Sequence, residues 1–256
     1  MTPEFGSPRT AIVTGGARRI GAAIVRALAD DGWHVLIHCR DSCDHVDAEL
    51  LATAGDRVRI VTADLAATDA ADLVFAGLTG MPPPALLVNN ASRFVYDSLD
   101  DFDAAGWEAH FDANLRAPAF LTQAFARAVR QGAGGLIVNL LDAKLAQPNP
   151  DFFTYTLSKM AFAGLTELSA RALAGRGIRV CAIAPSVTLV SGPQSRDNFD
   201  AVHRLNALGR GVTVDQILAA LRFLIATPTL TGQTIVIDGG QRFLALPRDV
   251  QFMVNE

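Results

Sequence analysis

Charge of one sign, cysteine and long apolar runs are all scarce in this chain of 256 residues, and each scarcity removes a class of protein. Lys and Arg number 22 against 26 Asp and Glu, a formal charge of -4, so no broad positive field exists for a polyanion and nucleic acid is not expected as a partner. The three cysteines, Cys39, Cys43 and Cys181, are odd in number and lack paired C-x2-C arms. That argues against a disulfide framework or a zinc site and for free thiols, two of them buried, in a reducing compartment such as the cytoplasm. The histidines His34, His38, His45, His110 and His203 show no ligand spacing, so no metal is expected. Apolar stretches such as 86–88 and 136–141 are broken by Asn, Asp or Gly long before the ~18 residues of a membrane helix. The first residues carry neither the cationic start nor the apolar stretch of a signal peptide. Residues 1–9 are therefore expected to be a flexible lead, and no membrane partner is expected.

What the chain has in quantity is core-forming material: half of its residues are hydrophobic and 19% are charged, which excludes a disordered or collagenous polymer. Short β-branched runs at 10–13, 34–39, 58–62, 86–89, 136–140, 178–183 and 234–237 read as buried strands. Amphipathic stretches at 20–30, 43–54, 70–78, 111–130, 155–174 and 214–226 read as helices between them. This alternation predicts a single α/β, Rossmann-like doubly wound domain over 10–256, with a seven-stranded parallel sheet covered by helices on both faces. The stretch 186–207 interrupts the pattern just past a strand's carboxyl end. It is rich in Ser, Pro, Asn, Gln and Arg, and its place predicts a flap over a ligand.

The first strand runs into TGGARRIG, residues 14–21, and then a helix. Glycine there lets backbone approach a pyrophosphate, and the helix N-terminus supplies free N–H groups and a favourable dipole. The spacing resembles the TGxxxGxG turn of the short-chain dehydrogenase/reductase family. The resemblance continues through Asp64-Leu65, Asn89-Asn90-Ala91-Ser92, Asn114, Tyr155-x3-Lys159, Pro185 and Asp238-Gly239-Gly240. It implies a nicotinamide cofactor held by Gly15, Arg18, Arg19, Ile20, Asp64, Leu65, Asn90, Ala91, Tyr155, Lys159 and Pro185. A homotetramer built on the helices at 111–130 and 155–174 is implied as well.

Cofactor choice turns on the position just past the second strand, where a carboxylate would bind a ribose diol and repel a 2'-phosphate. Here Cys39 stands at that position and Arg40 follows, with Ser42 beyond and Arg18 in the glycine turn. Two guanidiniums and a hydroxyl suit a phosphate dianion, which favours NADPH; Asp41 weighs toward NADH.

Tyr155 and Lys159 lie four apart and share a helix face. A tyrosine works as an acid or base at neutral pH when an adjacent ammonium lowers its pKa, and Lys159 is placed for that and for the nicotinamide ribose. Asn114 would help order the helix and a relay water. Most of the family carries a serine about a dozen residues before the tyrosine; this chain has Asp142. An ionised carboxylate repels the alkoxide formed when a ketone takes hydride, but suits a protonated C=N, and as a neutral acid it can donate to a ring nitrogen. Arg19 occupies the family's second glycine position and offers a planar donor fork; Phe94 can stack on a flat ligand. Arg19, Ser92, Phe94 and Asp142 together resemble the pteridine reductase branch, including bacterial dihydromonapterin or dihydrofolate reductases. The implied reaction is NADPH-dependent reduction of a C=N bond in a dihydropterin or dihydrofolate, with Asp142, Tyr155, Lys159 and Asn114 catalytic and Arg19, Ser92, Phe94, Asp142 and Tyr155 on the substrate. Two alternatives remain: a carbonyl or alcohol dehydrogenase of the same family acting on a ketone, sugar or acyl compound, and a nucleotide-binding regulator without catalysis. Arg93 between Ser92 and Phe94, and Ser186 after Pro185, depart from the family pattern, and 242–256 carries no readable motif.

Overall fold

The computed structural model describes residues 5–191 and 194–253. Seven strands form one parallel sheet in the order β3-β2-β1-β4-β5-β6-β7. They are β1 (Thr10–Thr14), β2 (His34–Cys39), β3 (Val58–Thr62), β4 (Pro84–Asn89), β5 (Gly135–Leu140), β6 (Ile178–Pro185) and β7 (Thr234–Ile237). Strand order reverses between β1 and β4, which opens a crevice at their carboxyl ends. Because side chains alternate along a strand, neighbours serve opposite faces. Val13, Ile37, Val88 and Val138 enter one core with Ile24, Leu28, Trp33 and Leu221, while Ile12, Leu36, Leu87 and Ile137 enter the other with Val74, Leu121 and Phe125.

Eight α-helices among the described residues cover the sheet: α1 (Arg19–Asp30), α2 (Ala48–Ala54), α3 (Ala70–Ala76), α4 (Ala104–Phe111), α5 (Ala117–Ala128), α6 (Phe153–Leu173), α7 (Arg196–His203) and α8 (Val214–Ala226). Their ends show where sequence periodicity overran. The helix expected at 43–54 starts at Ala48, because the Asp47 carboxylate caps it by accepting from the N–H groups of Glu49 and Leu50. The one expected at 111–130 starts at Ala104, capped by Asp103, and a π turn at Asp112–Arg116 separates α4 from α5. Within the expected flap, α7 is capped by Ser195, and residues 192–193 lie outside the described residues.

Two expectations need correction. The cysteines are not all free thiols: Cys39 and Cys43 are joined by a disulfide, while Cys181 is free and buried. The turn after β2 brings the two Cα atoms to 5.8 Å, within bridging range, which a spacing of four does not reveal. The lead is not loose along its whole length either. Phe5 is buried with its ring centroid 5.9 Å from that of Trp33, and the Arg9 guanidinium lies 4.2 Å from the Trp33 ring, so apolar and cation–π contacts hold the chain just before β1. Residues 1–4 lie outside the described residues. No helix of the described residues is long and apolar enough to cross a membrane.

Candidate active site

The turn after β1 is shaped by close packing. Gly15 has φ +61, and a Cβ there would lie 3.1 Å from the Cα of Ala91 and 3.3 Å from Asn90 Nδ2. Asn90 Nδ2 donates to the carbonyls of Thr14 (2.8 Å) and Gly15 (3.2 Å), and Thr14 Oγ1 accepts from the N–H groups of Asn90 and Ala91 at 3.0 Å. The β1 and β4 ends are thereby fastened across the crevice. His38, unmarked by any motif, completes the turn. Its Nδ1 accepts from Gly15 N at 3.2 Å, its Nε2 lies 2.8 Å from the Ala63 carbonyl, and burial lowers its pKa, so the ring is neutral with Nε2 as donor.

One cavity of about 1050 Å³ runs from this turn across the carboxyl edge of the sheet. Gly15, Arg18, Arg19, Ile20, Arg40, Ser42, Asp64, Leu65, Asn90, Ala91 and Pro185 border it at one end and along its floor. Ser92, Phe94, Asp142, Tyr155 and Lys159 border it at the other. Arg18 caps α1 without a side-chain hydrogen bond to the helix, so the helix N-terminus is open toward the cavity. Arg40 and Asp41 form an exposed ion pair at 2.6 Å, so the two residues that weigh oppositely on cofactor choice are engaged with each other. Arg19 takes φ +55, the conformation that glycine supplies in the family's turn, and its Nη1 donates to the Val190 carbonyl at 2.6 Å, linking the turn to the expected flap.

Asn114 is fully buried and sits in the π turn beneath the cavity. Its Oδ1 accepts from Arg93 N (2.8 Å) and Ser92 Oγ (3.1 Å), and its Nδ2 donates to Arg93 O and Ser158 Oγ, both at 3.0 Å. Ser158 in turn donates to the Tyr155 carbonyl at 2.7 Å. Asn114 thus ties the Ser92–Phe94 loop to the helix that carries Tyr155 and Lys159.

The Tyr155 hydroxyl donates to Asp142 Oδ2 at 2.7 Å, and Asp142 Oδ1 accepts from Lys144 N at 2.8 Å. Lys159 Nζ donates to the Leu140 carbonyl at 2.8 Å. Here the electrostatics reverse an expectation. Tyr155 is not lowered by Lys159: burial, followed by the Asp142 charge and hydrogen bond, raises it well above its ordinary value. Burial also lowers the Lys159 ammonium to about 8, with Asp142 opposing. Tyr155 is therefore a proton donor held neutral, facing a carboxylate acceptor. Phe94 stacks on Phe152, centroids 4.2 Å apart and planes at 16°, and meets Tyr155 edge-on at 4.7 Å, which puts an aromatic wall beside the acid pair.

The sequence pattern missed the far wall. Lys144, Leu246, Asp249, Val250 and Gln251 also border the cavity. Asp151, buried, accepts Arg248 Nη2 at 2.8 Å and Nε at 3.2 Å together with Asp249 N at 2.7 Å. Burial works against the Asp151 carboxylate, but Arg248 and the Asp249 N–H outweigh it and hold it below the ordinary range. The only local signal was the acid and base content of a segment without periodicity.

A sheet reversed at β1/β4, a glycine turn at the crevice and a Tyr-Lys pair on the helix after β5 define a class. The short chain dehydrogenase family matches residues 9–200, and the chain belongs to that family of oxidoreductases. Among curated relatives, a 3-oxoacyl-[acyl-carrier-protein] reductase of Synechocystis sp. is 30% identical over 91% of this chain and 96% of its own length. An L-xylulose reductase of Mesocricetus auratus is 30% identical over the same shares. Among solved structures, the FolM alternative dihydrofolate reductase 1 of Brucella suis, in complex with NADP, superposes with a TM-score of 0.86 at 38% identity, over 91% of this chain and 95% of that one. The Brucella canis protein of the same description, also with NADP, gives 0.87 at 38% identity over 94% and 96%.

Proposed function

We propose that this oxidoreductase uses NADPH to reduce a C=N bond of a dihydropterin or dihydrofolate to the tetrahydro form. The observation that carries the reading is the Asp142–Tyr155 hydrogen bond, 2.7 Å long, at the position where most of the family has serine. The likeness to the FolM structures supports it.

The residues fit the cofactor. The Gly15 turn, which a Cβ would close against Ala91, leaves room for a pyrophosphate at the open N-terminus of α1. Gly15, Arg19, Ile20, Asn90, Ala91 and Pro185 would hold the pyrophosphate and nicotinamide, Asp64 and Leu65 the adenine, and Tyr155 and Lys159 the nicotinamide ribose. Arg18, Arg40 and Ser42 would hold the 2'-phosphate, for which Arg40 must exchange its Asp41 partner. The chemistry NADPH would supply there is a hydride for the carbon of the C=N bond. Tyr155 would turn its hydroxyl from Asp142 to the nitrogen and give up its one proton there, and the tyrosinate left behind would regain a proton from water by way of Asp142. Arg19, Ser92 and Phe94 hold the ring, with Phe94 offering a stacking face. Asn114 fixes the Ser92–Phe94 loop against α6.

A carboxylate beside the donor is unsuited to a growing alkoxide, and that opposes the carbonyl reading which the 3-oxoacyl and xylulose reductase relatives support. Asp142→Ser separates the two. On the proposed reading the variant loses about 100-fold or more in kcat/KM for a dihydropterin and keeps or gains ketone turnover. Undiminished dihydropterin turnover in the variant contradicts the reading.

A further inference from the structure

The segment after β7 doubles back onto the substrate end of the cavity. Gly239 and Gly240 turn it at φ +58 and +80, and Ala245, at φ +48, turns it again before Asp151 receives Arg248 and the Asp249 N–H. Phe252 closes the arrangement by stacking on Phe152 with centroids 6.1 Å apart. Asp249 is thereby fixed on the cavity wall with its side chain 17% exposed.

The donors to this carboxylate are few and long. Lys144 Nζ reaches Oδ2 at 3.2 Å and Gln251 N reaches Oδ1 at 3.2 Å, against about 2.7–2.9 Å for a good charge-assisted bond. Lys144 is shared, since its Nζ also donates to the Asp151 carbonyl at 2.5 Å. Each Asp249 oxygen retains acceptor capacity. Burial raises its carboxyl above the ordinary range, with Lys144 opposing, so a further donor would relieve a desolvated group. Asp142 and Tyr155 are close enough to couple to it electrostatically. Two carboxylates, Asp142 and Asp249, thus border the substrate end and can accept from a ligand's N–H donors.

We propose that Asp249 is a substrate-recognition residue whose carboxylate accepts the ring N–H and exocyclic amine of an aminopyrimidine edge. The C-terminal segment then sets the choice of an N–H-rich heteroaromatic over a carbonyl compound. The fit is that of a two-donor fork on a carboxylate, each N–H to one oxygen. This assignment rests on the pterin reading above and adds to it the edge of the ring that is read.

The test is a two-way cycle on NADPH-loaded enzyme. Wild type and Asp249→Asn are compared on a dihydropterin and on its analogue lacking the exocyclic amine, with KM, kcat and the NADPH Kd measured for each. Removing the charge should raise KM for the amino substrate about 10- to 100-fold, raise KM for the analogue, which keeps only the ring N–H, by about tenfold less, and leave the NADPH Kd unchanged. The ligand half needs no variant, since wild type should bind the analogue about 10- to 100-fold more weakly than the amino compound. Equal losses for both ligands in Asp249→Asn, or an analogue that binds wild type as well as the amino compound, overturn the assignment of Asp249 alone. A wild-type enzyme that neither binds nor reduces a dihydropterin overturns the pterin reading, and the Asp249 assignment with it.

Discussion

At the scale of single residues, the proposed acid and its lysine differ from a tyrosine activated by a neighbouring ammonium. Tyr155 is kept protonated by burial and Asp142, whereas Lys159 is the group whose charge changes near neutrality, at about 8. Its ammonium is present below that value and lost as pH rises through it. Because kcat/KM for the cofactor reports groups of the free enzyme, kcat/KM for NADPH should be level below about pH 8 and fall above it. A profile that stays level until the tyrosine range, about pH 10, would contradict this division. Most of the candidate site is legible at this scale because many of the residues that border the cavity sit at strand ends and on one helix face, where short spacings fix them: Gly15, Asn90, Asp142, Tyr155 and Lys159 are among them. His38 was hidden because a polar residue in an apolar strand carries no motif, and its partners Gly15 and Ala63 come from two other strand ends.

At the scale of elements, the π turn at Asp112–Arg116 matters most. It aims Asn114 inward, where four hydrogen bonds join the Ser92–Phe94 loop to α6 through Ser158. Asn114→Ala leaves the Arg93 backbone and the Ser158 hydroxyl short of partners. It should destabilise the protein by about 2 kcal/mol or more in denaturant unfolding and lower turnover. A loss below about 0.5 kcal/mol would show that the loop is held by other contacts. The five central strands are readable from β-branched runs because both of their faces are buried, and such strands are apolar throughout; the edge strands β3 and β7, also expected to be buried, are instead partly exposed because each has a neighbour on one side only. The π turn was not, since one extra residue per turn hardly disturbs helical periodicity. The 242–253 segment was not readable either, because its order comes from Arg248 on Asp151, a contact spanning 97 positions with no pattern at either end.

For the whole molecule, the chain's slight acidity conceals a local arrangement: Arg18, Arg19 and Arg40 border the cofactor end, and Asp142 and Asp249 the substrate end. Both ends carry the opposite charge as well: Asp41 and Asp64 border the cofactor end, and Lys144 and Lys159 the substrate end. Exposed apolar side chains lie on the helices that the family resemblance makes an interface: Phe120 on α5, and Met160 and Leu168 on α6. We expect a homotetramer, so light scattering at micromolar concentration should give four times the chain mass, and a monomeric mass would leave these residues without a role. The proposed reaction is the transfer of hydride from NADPH to a C=N bond. Its most direct measurement is NADPH oxidation by the wild-type enzyme with 7,8-dihydropterin or dihydrofolate, with the product quantified beside a ketone panel. One tetrahydro product per NADPH consumed and little ketone turnover are expected; robust ketone reduction with no tetrahydropterin formed would contradict the proposed reaction.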